Sequence, residues 1–275
     1  ADYLNIGMDY VGKPWLNVPA DVHDDYESCD WSYPDKTGCT IQTSTCYADG
    51  VPYSCSGEVC TDWGTPVKSN CTMVHYVYKF EGCLKSRPEP YLDSISDPTS
   101  PAYDGTTGNV CGAPLLEMTS TKSDVIDTID SLSPSGNTYI PSGLVWAWNM
   151  LTPEEPLTRA ESMASINAKG GKKALVLMTD GANTVAPRPG DLMYYGFYDA
   201  GYGSDSTQID AITASLCEKI KAEGTIVYTV LFDVSDPKIE TLLHNCATDS
   251  GKSFVASNGG ELVAAFKSIG TSLTQ

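Results

Sequence analysis

An aspartate directly follows a short run of apolar residues. Residues 174–178 read Ala-Leu-Val-Leu-Met and are followed by Thr179, Asp180 and Gly181. A continuous apolar run of this length is typical of a parallel strand that is covered on both faces. In open α/β sheets, binding groups collect in the loops at the carboxyl ends of such strands. The sequence therefore predicts that Asp180 lies at a binding edge of the sheet.

A second polar segment offers a partner for this carboxylate. Residues 135–143 precede an apolar stretch that is typical of a buried helix, and they include Thr138. We expect this segment to lie beside Asp180, so that a hydroxyl and a carboxylate meet. Hard oxygen donors of this kind suit Mg²⁺, and Thr138 and Asp180 are therefore candidate metal ligands. Two simpler interpretations stay open, because Asp-Gly is common in turns and threonine often caps a helix.

Tyrosines are concentrated in the segment that comes next. Residues 187–206 follow the strand of Asp180 and are expected on the same face of the molecule. Exposed tyrosines on such a loop suit a protein or glycan partner. The alternative is a loop that packs on itself and covers the sheet. The candidate partner-binding residues are Tyr194, Tyr195, Tyr198 and Tyr202.

Helix and strand patterns alternate from about residue 119 onward. Residues 121–132 and 207–220 each begin with Thr-x-x-Asp, a capping-box arrangement, and continue with apolar residues on one helical face. Residues 226–232 predict a second strand, and Asp236-Pro237 predicts the start of another helix. This order favours an α/β fold with parallel strands and with helices on both faces of the sheet.

Ten cysteines indicate disulfide bonds rather than a zinc site. Their number is even, no C-x-x-C pair occurs, and the chain has only three histidines. Disulfides imply an oxidising compartment, which is the periplasm, the cell surface or the extracellular space. We predict a bond between Cys217 and Cys246, which lie on successive helices, and a second between Cys83 and Cys111. The other six cysteines allow fifteen pairings.

Residues 20–115 differ in character from the rest of the chain. They contain eight of the ten cysteines and almost no helical periodicity. Such a segment lacks the apolar surface for an ordinary core, so cross-links are expected to hold it by restricting the unfolded chain. We predict a disulfide-rich insertion of loops and short strands.

Charge and motif content exclude several function classes. The net charge of −18 and the pI of about 4.3 oppose binding to nucleic acid or to anionic membranes. No apolar run approaches the roughly 20 residues of a membrane helix. Neither a G-x-S-x-G elbow nor an H-E-x-x-H helix occurs. We therefore expect a protein that is not an enzyme.

Several separated segments resemble TadG-like proteins of tight-adherence (Flp-type) pilus loci. The C-terminal part of that family is similar to "NTYIPSGLVWAWNML", "KKALVLMTDGANT", "LCEKIKAEGTIVYTVLFDV", "LLHNCA" and "GKSFVASNGGELVAAFKSIG". The disulfide-rich insertion of the same proteins is similar to "WLNVPAD", "YADGVPYSC" and "GCLKSRPEPY". Together these segments cover nearly the whole chain.

The resemblance implies a von Willebrand factor type A fold, which is a Rossmann-like α/β fold with a mostly parallel sheet. Residues 1–19 would then be a partial N-terminal piece of this domain, residues 20–115 its insertion and residues 116–275 its C-terminal part. The metal-ion-dependent adhesion site of this fold uses a D-x-S-x-S loop, a later Thr and a later Asp. The similarity assigns the last two roles to Thr138 and Asp180.

The same resemblance implies a function on the bacterial envelope. We expect a non-enzymatic binding module that supports pilus assembly or adhesion, located in the periplasm or at the cell surface. A bound Mg²⁺ would accept an acidic group from a protein partner, such as a pilus or envelope component. Two alternatives are a disulfide-stiffened structural protein without metal and a secreted hydrolase.

One part of the family pattern is missing from this sequence. No D-x-S-x-S loop is present, and "ADYLNIG" at residues 1–7 resembles the segment that follows the second strand of the fold. The first strand, the first helix and the second strand are therefore expected in a preceding stretch of the natural protein. Because the first strand is normally central, its absence leaves a sheet edge unpaired. The alternative is a rearranged sheet that binds no metal.

Overall fold

The chain divides into two compact units in a computed structural model. The structure describes residues 4–32, 37–48, 51–61, 65–84, 86–87, 102–107, 112–133, 138–184 and 206–274. The first unit comprises Ala1–Asp21 with Lys79–Gln275, and the second is Val22–Tyr78. The second unit is thus shorter than the predicted insertion of residues 20–115. The reason is that strands between residues 80 and 107 pair with strands from the first 21 residues.

Eleven strands and six α-helices lie in the described ranges. The strands are β1 (Leu4–Asn5), β2 (Leu16–Asn17), β3 (Val22–Ser32), β4 (Thr40–Ala48), β5 (Val51–Val59), β6 (Val67–Tyr78), β7 (Phe80–Leu84), β8 (Tyr103–Thr107), β9 (Ala174–Thr179), β10 (Ile226–Phe232) and β11 (Ser253–Ala256). The helices are α1 (Lys122–Ser131), α2 (Ile140–Leu151), α3 (Met163–Ala168), α4 (Thr207–Ala222), α5 (Pro237–Cys246) and α6 (Gly259–Leu273). None of these helices combines the length and the apolar character needed to span a bilayer.

The C-terminal half of the first unit forms a three-stranded parallel sheet in the order β11-β10-β9. The central strand β10 aligns Val230 with Met178 on one side and with Phe254 on the other. Helices α2, α4 and α5 pack on one face of this sheet, and α6 packs on the other. The predicted alternation of strands and helices, with helices on both faces, therefore describes this sheet.

Burial explains why β10 is the centre of the sheet. Five consecutive side chains, Val227 to Leu231, are almost completely shielded from solvent. Each large apolar side chain buried in this way contributes about 1.5–3 kcal/mol. The one polar member, Thr229, donates a hydrogen bond to the carbonyl of Leu243 at 3.0 Å and also contacts Ser253 Oγ at 3.2 Å. Its hydroxyl is therefore satisfied inside the core.

Strand β9 is less covered than its sequence predicts. Val176 and Met178 are 39% and 43% exposed, whereas Leu175 on the opposite face is buried. Within the described ranges β9 pairs only with β10, and α6 packs over β10 and β11. The prediction that both faces of this strand are covered is therefore wrong for the described residues. Among the described residues, nothing covers one edge and part of one face of the parallel sheet.

A second sheet packs on the far side of α2. It has the order β1-β7-β8-β2, with antiparallel contacts on both sides of β7 and a parallel contact between β8 and β2. Trp146 on α2 packs into the core of this sheet with Trp15 and Tyr103, while Trp148 on the same helix packs into the core of the parallel sheet. Helix α2 is buried all round because it joins two cores. A mostly parallel sheet is not confirmed for the chain as a whole.

Two predicted capping boxes do not form as expected. At α1, Thr121 makes no side-chain capping bond, and Thr119 instead donates to the carboxylate of Asp124 at 3.2 Å. At α4 the N-cap position belongs to Ser206, whose hydroxyl donates to Asp210 at 3.2 Å. Both helices form, because apolar spacing decides their existence and the cap decides only how they begin. No side chain of α1 is buried, so its apolar stripe is exposed.

The second unit consists of two antiparallel strand pairs rather than loops and short strands. Strand β3 pairs with β6 from Val22↔Tyr78 to Ser32↔Val67, and β4 pairs with β5 from Thr40↔Val59 to Ala48↔Val51. The disulfides Cys29–Cys71, Cys39–Cys60 and Cys46–Cys55 link these segments. Nearly all described side chains of this unit are exposed, so covalent links replace a hydrophobic core here.

Candidate site at the carboxyl edge of the parallel sheet

The carboxyl ends of the three parallel strands meet at one edge. Strands β9, β10 and β11 end at Thr179, Phe232 and Ala256, and the register aligns Thr179 with Leu231 and Phe232 with Ala256. Asp180 therefore follows β9 at this edge, and Asp233 follows β10 there. This is the edge that the sequence predicts for the candidate site.

Thr179 shapes the turn that carries Asp180. Its buried hydroxyl donates to the carbonyl of Gly181 at 2.8 Å, and the amide of Gly181 lies 3.2 Å from the same oxygen. This local bonding turns the chain sharply at the end of β9, and Asp180 is the exposed residue between the two bonded ones. Within the described ranges the Asp180 carboxylate has neither a hydrogen bond nor an ion pair.

Thr138 is fixed beside this turn by reciprocal bonds to Thr184. The amide of Thr138 donates to Thr184 Oγ1 at 2.9 Å, and the amide of Thr184 donates to the carbonyl of Thr138 at 2.9 Å. A methyl group added to Gly181 would lie 3.6 Å from Thr138 Oγ1. The structure therefore brings the segment that contains Thr138 against the loop that contains Asp180.

Asn183 joins the two segments, and it is not among the site residues that the sequence predicts. It is 4% exposed, and its Oδ1 accepts a bond from the amide of Ile140 at 2.9 Å. Its Nδ2 donates to Asp210 Oδ1 at 2.8 Å and to Thr213 Oγ1 at 3.2 Å, both on α4. One side chain thus ties the Asp180 loop to α2 and α4. A lone Asn in a polar loop gives no sequence signal for this role.

These contacts decide how the N-terminus of α2 is capped. The N-cap position is Tyr139, which makes no side-chain capping bond, and the first helical amide is bound by Asn183 instead. Thr138 is therefore not the cap of this helix, although its sequence position allowed that reading. Its main chain holds it in place, while its hydroxyl makes no hydrogen bond to any described residue.

The donor atoms at this edge fit a hard divalent ion in kind but not in number. The Thr138 hydroxyl and the Asp180 carboxylate are oxygen donors of the type that Mg²⁺ takes, but an octahedral ion needs about six ligands. The only groups of three or more His, Cys, Asp or Glu donors found in the described ranges contain Cys29 with Cys71 or Cys39 with Cys60. Because those cysteines are oxidised to disulfides, they provide no thiolate.

One of the two predicted disulfides lies entirely within the described residues. Cys217 and Cys246 are joined by a disulfide that links α4 to α5 and is completely buried in the core. Cys83 is disulfide-bonded, and its predicted partner Cys111 lies outside the described residues. The four tyrosines of the predicted partner-binding loop, Tyr194, Tyr195, Tyr198 and Tyr202, also lie outside the described residues.

Comparisons with known proteins give limited matches. No family model and no curated protein matches the chain. Similar solved structures include proximal thread matrix protein 1 from the mussel byssus with a zinc-occupied MIDAS motif, at 19% identity and a TM-score of 0.36, over 61% of this chain and 32% of that chain. A second crystal form of the same protein matches at 18% identity and a TM-score of 0.35, over 61% of this chain and 32% of that chain. A third structure of it matches at 18% identity and a TM-score of 0.35, over 60% of this chain and 31% of that chain.

The chain therefore spans about a third of the length of that byssus protein. A TM-score of 0.36 is too low to assign a fold or a site by similarity. The strand order, the register and the hydrogen bonds of this chain define the parallel sheet and its carboxyl edge.

Proposed function

We propose that this protein is a non-enzymatic adhesion module with a von Willebrand factor A-like fold, in which Thr138 and Asp180 form part of a divalent-metal site. The observation that carries the proposal is the pair of bonds between Thr138 and Thr184, which hold the threonine beside the Asp180 loop. A bound Mg²⁺ or similar ion would supply positive charge on a protein whose net charge is −18, and it would accept an acidic group of a protein partner.

The open edge of β9 supports a site that is completed by another segment. In the part of the chain that the structure describes, one edge of β9 is unpaired and Val176 and Met178 beside it are exposed. The backbone groups of such an edge can pair with a further strand. We propose that a segment encoded before Ala1 pairs with β9 and brings the missing metal ligands to the carboxyl edge. That segment would also cover the exposed face of β9.

The disulfides support a location outside the cytosol. Four disulfides lie in the described ranges, and such bonds persist in oxidising compartments. We propose that the protein is located in the bacterial periplasm or at the cell surface. There it would take part in Flp-type pilus assembly or adhesion. The partner would be a pilus or envelope protein with an exposed carboxylate.

Metal binding in two versions of the protein tests the proposal. We expect Mg²⁺ or Mn²⁺ to bind this chain only weakly by calorimetry, because it offers two of about six ligands. A version extended by the encoded residues before Ala1 should bind at least about tenfold more tightly, which is about 1.4 kcal/mol. Amide exchange of β9 should slow in the extended version, since its edge amides become hydrogen-bonded.

Three variants of the extended version locate the ion. Asp180→Asn and Thr138→Val should each remove the gain in affinity, because each deletes one donor. Asp233→Asn removes the same charge from the same edge, and asparagine accepts the positive φ of 53° found there. It should leave metal affinity unchanged. Equal losses in Asp180→Asn and Asp233→Asn would mean that the ion responds only to bulk charge.

A structural role without metal is the second candidate, and the disulfide-braced second unit favours it. In that case neither version of the protein would give heat or a thermal shift with Mg²⁺, Mn²⁺ or Zn²⁺. A hydrolase has weaker support, because no histidine in the described ranges is hydrogen-bonded to a serine or cysteine. His75, for example, pairs with Asp25 at 2.8 Å on an exposed strand.

A further inference from the structure

The pair of strands β3 and β6 presents tyrosines and a carboxylate together on one face. Side chains of directly paired residues lie on the same face of an antiparallel ladder, and alternate residues return to that face. The register pairs Asp24 with Tyr76 and Tyr26 with Val74, so these four residues share one face with Val22 and Tyr78. The opposite face carries His23, Asp25 and Glu27, paired with Val77, His75 and Met73.

The tyrosine rings of this face are accessible and in contact with one another. Tyr26 and Tyr76 are 45% and 46% exposed, and their ring centroids lie 5.8 Å apart in a stacked arrangement. Tyr78 continues the stack at 6.2 Å from Tyr76. A hydrogen bond with Tyr76 is the main cause that raises the pKa of Tyr26, and the nearby charge of Asp24 adds to it. The Tyr26 phenol therefore stays neutral around neutral pH.

The same ribbon already holds one ammonium group with an aromatic ring and a carboxylate. Lys68 Nζ lies 5.1 Å from the centroid of the Trp31 ring and 3.4 Å from Glu27 Oε2. An ammonium over a ring face is attracted by the ring quadrupole, and a carboxylate adds a direct charge interaction. The Asp24 face offers the same two elements, with no lysine or arginine of the described ranges paired to Asp24.

We propose that Asp24, Tyr26 and Tyr76 form a docking surface for an extended, lysine-bearing segment of a protein partner. Charge complementarity supports a basic partner, because Asp24 is the only charged residue among the six that share this face and the protein carries a net charge of −18. A lone amine would gain one exposed cation–π contact and one exposed ion pair, which is weak. A polypeptide can add contacts to Val22 and Val74 on the same face, so it is the occupant that this surface fits.

A titration of the full disulfide-bonded chain with three probes tests this surface. The probes are a peptide of alternating lysine and valine, the same peptide with glutamate in place of lysine, and free butylamine. We expect the lysine peptide to bind and to shift the Tyr26 and Tyr76 ring resonances in NMR spectra. Butylamine should bind at least about tenfold more weakly than the peptide. Butylamine that binds as tightly as the peptide, or a glutamate peptide that binds equally well, would overturn the proposal.

Matched variants distinguish binding at this face from a general effect of negative charge on the ribbon. Asp24→Asn and Tyr76→Ala should each weaken binding of the lysine peptide about three- to tenfold, because each removes one of the two attractions. Tyr76→Phe keeps the ring and should lose less than about twofold, and it remains informative if Tyr76→Ala perturbs the ribbon. Asp25→Asn removes the same charge from the opposite face and should change affinity by less than about twofold. Equal effects of Asp24→Asn and Asp25→Asn would show that only net charge matters.

Discussion

Replacement of Cys217 and Cys246 together by alanine is expected to lower the free energy of unfolding of the first unit by about 3.5 kcal/mol. The two cysteines lie 29 residues apart in sequence. A disulfide that closes a loop of that length restricts the unfolded chain and so contributes roughly 3.5 kcal/mol to the free energy of unfolding. Both cysteines lie among buried side chains of α4, α5 and β10, so their replacement by alanine also leaves unfilled volume in the core. Denaturant unfolding followed by tryptophan fluorescence measures the loss, and the melting temperature should fall by about 7–14 °C.

The matched control for this variant is the alanine replacement of Cys46 and Cys55. That disulfide spans 9 residues and belongs to the second unit, whereas the parallel sheet belongs to the first. The unfolding transition reported by Trp146 and Trp148 should then shift by less than about 0.5 kcal/mol. A loss below about 1 kcal/mol in the Cys217 and Cys246 double variant would mean that core packing alone holds α4 and α5 together.

Replacement of Asn183 by alanine is expected to cost about 2–3 kcal/mol of stability and to release the Asp180 loop. The buried amide of Ile140 would lose the acceptor that it has among the described residues, which carries a penalty of about 1–3 kcal/mol. Asp210 and Thr213 would lose a donor at the same time. Amide exchange at Ile140 and denaturant unfolding measure the effect.

Two further variants define what Asn183 does. Asn167→Ala removes an exposed asparagine that makes no side-chain hydrogen bond in the described ranges, and it should change stability by less than about 0.5 kcal/mol. Asn183→Asp keeps the acceptor for Ile140 but sets a second carboxylate against Asp210. The loss of stability in Asn183→Asp should therefore become smaller as the pH falls toward about 4, where a protonated carboxyl group of the pair can donate a hydrogen bond again. Normal exchange at Ile140 in Asn183→Ala would show that another group caps α2.

Hydrophobic periodicity was sufficient to locate the elements of the parallel sheet. Strands β9 and β10 and helices α2, α4 and α5 lie where the sequence predicts them, because apolar spacing reports directly on burial. The starts of helices were less predictable. Thr121 and Thr207 match a capping box, yet Ser206 takes the N-cap position at α4 and Thr119 bonds Asp124 at α1. Several nearby hydroxyls compete for the same role, and their energies differ by little.

The second unit was the hardest part to predict. Residues 22–78 contain polar strands that bury little surface, so their pattern resembles loops even though β3 and β6 are among the longest strands described. Their pairing and the three disulfides that accompany it depend on register. Register is set by contacts between residues as far apart as Cys29 and Cys71, and no local pattern encodes it.

The sequence by itself determined the class of this protein: an acidic, disulfide-bonded chain with parallel strands, a polar loop after β9, and a hydroxyl and a carboxylate at Thr138 and Asp180. These properties follow from composition and from short-range periodicity. Only the tertiary structure decided that Asn183 caps α2 and that Asp24 and Tyr76 share one face. Each of these depends on groups that are distant in the chain and meet only after folding, because hydrogen bonds and strand pairing are specified by geometry in three dimensions.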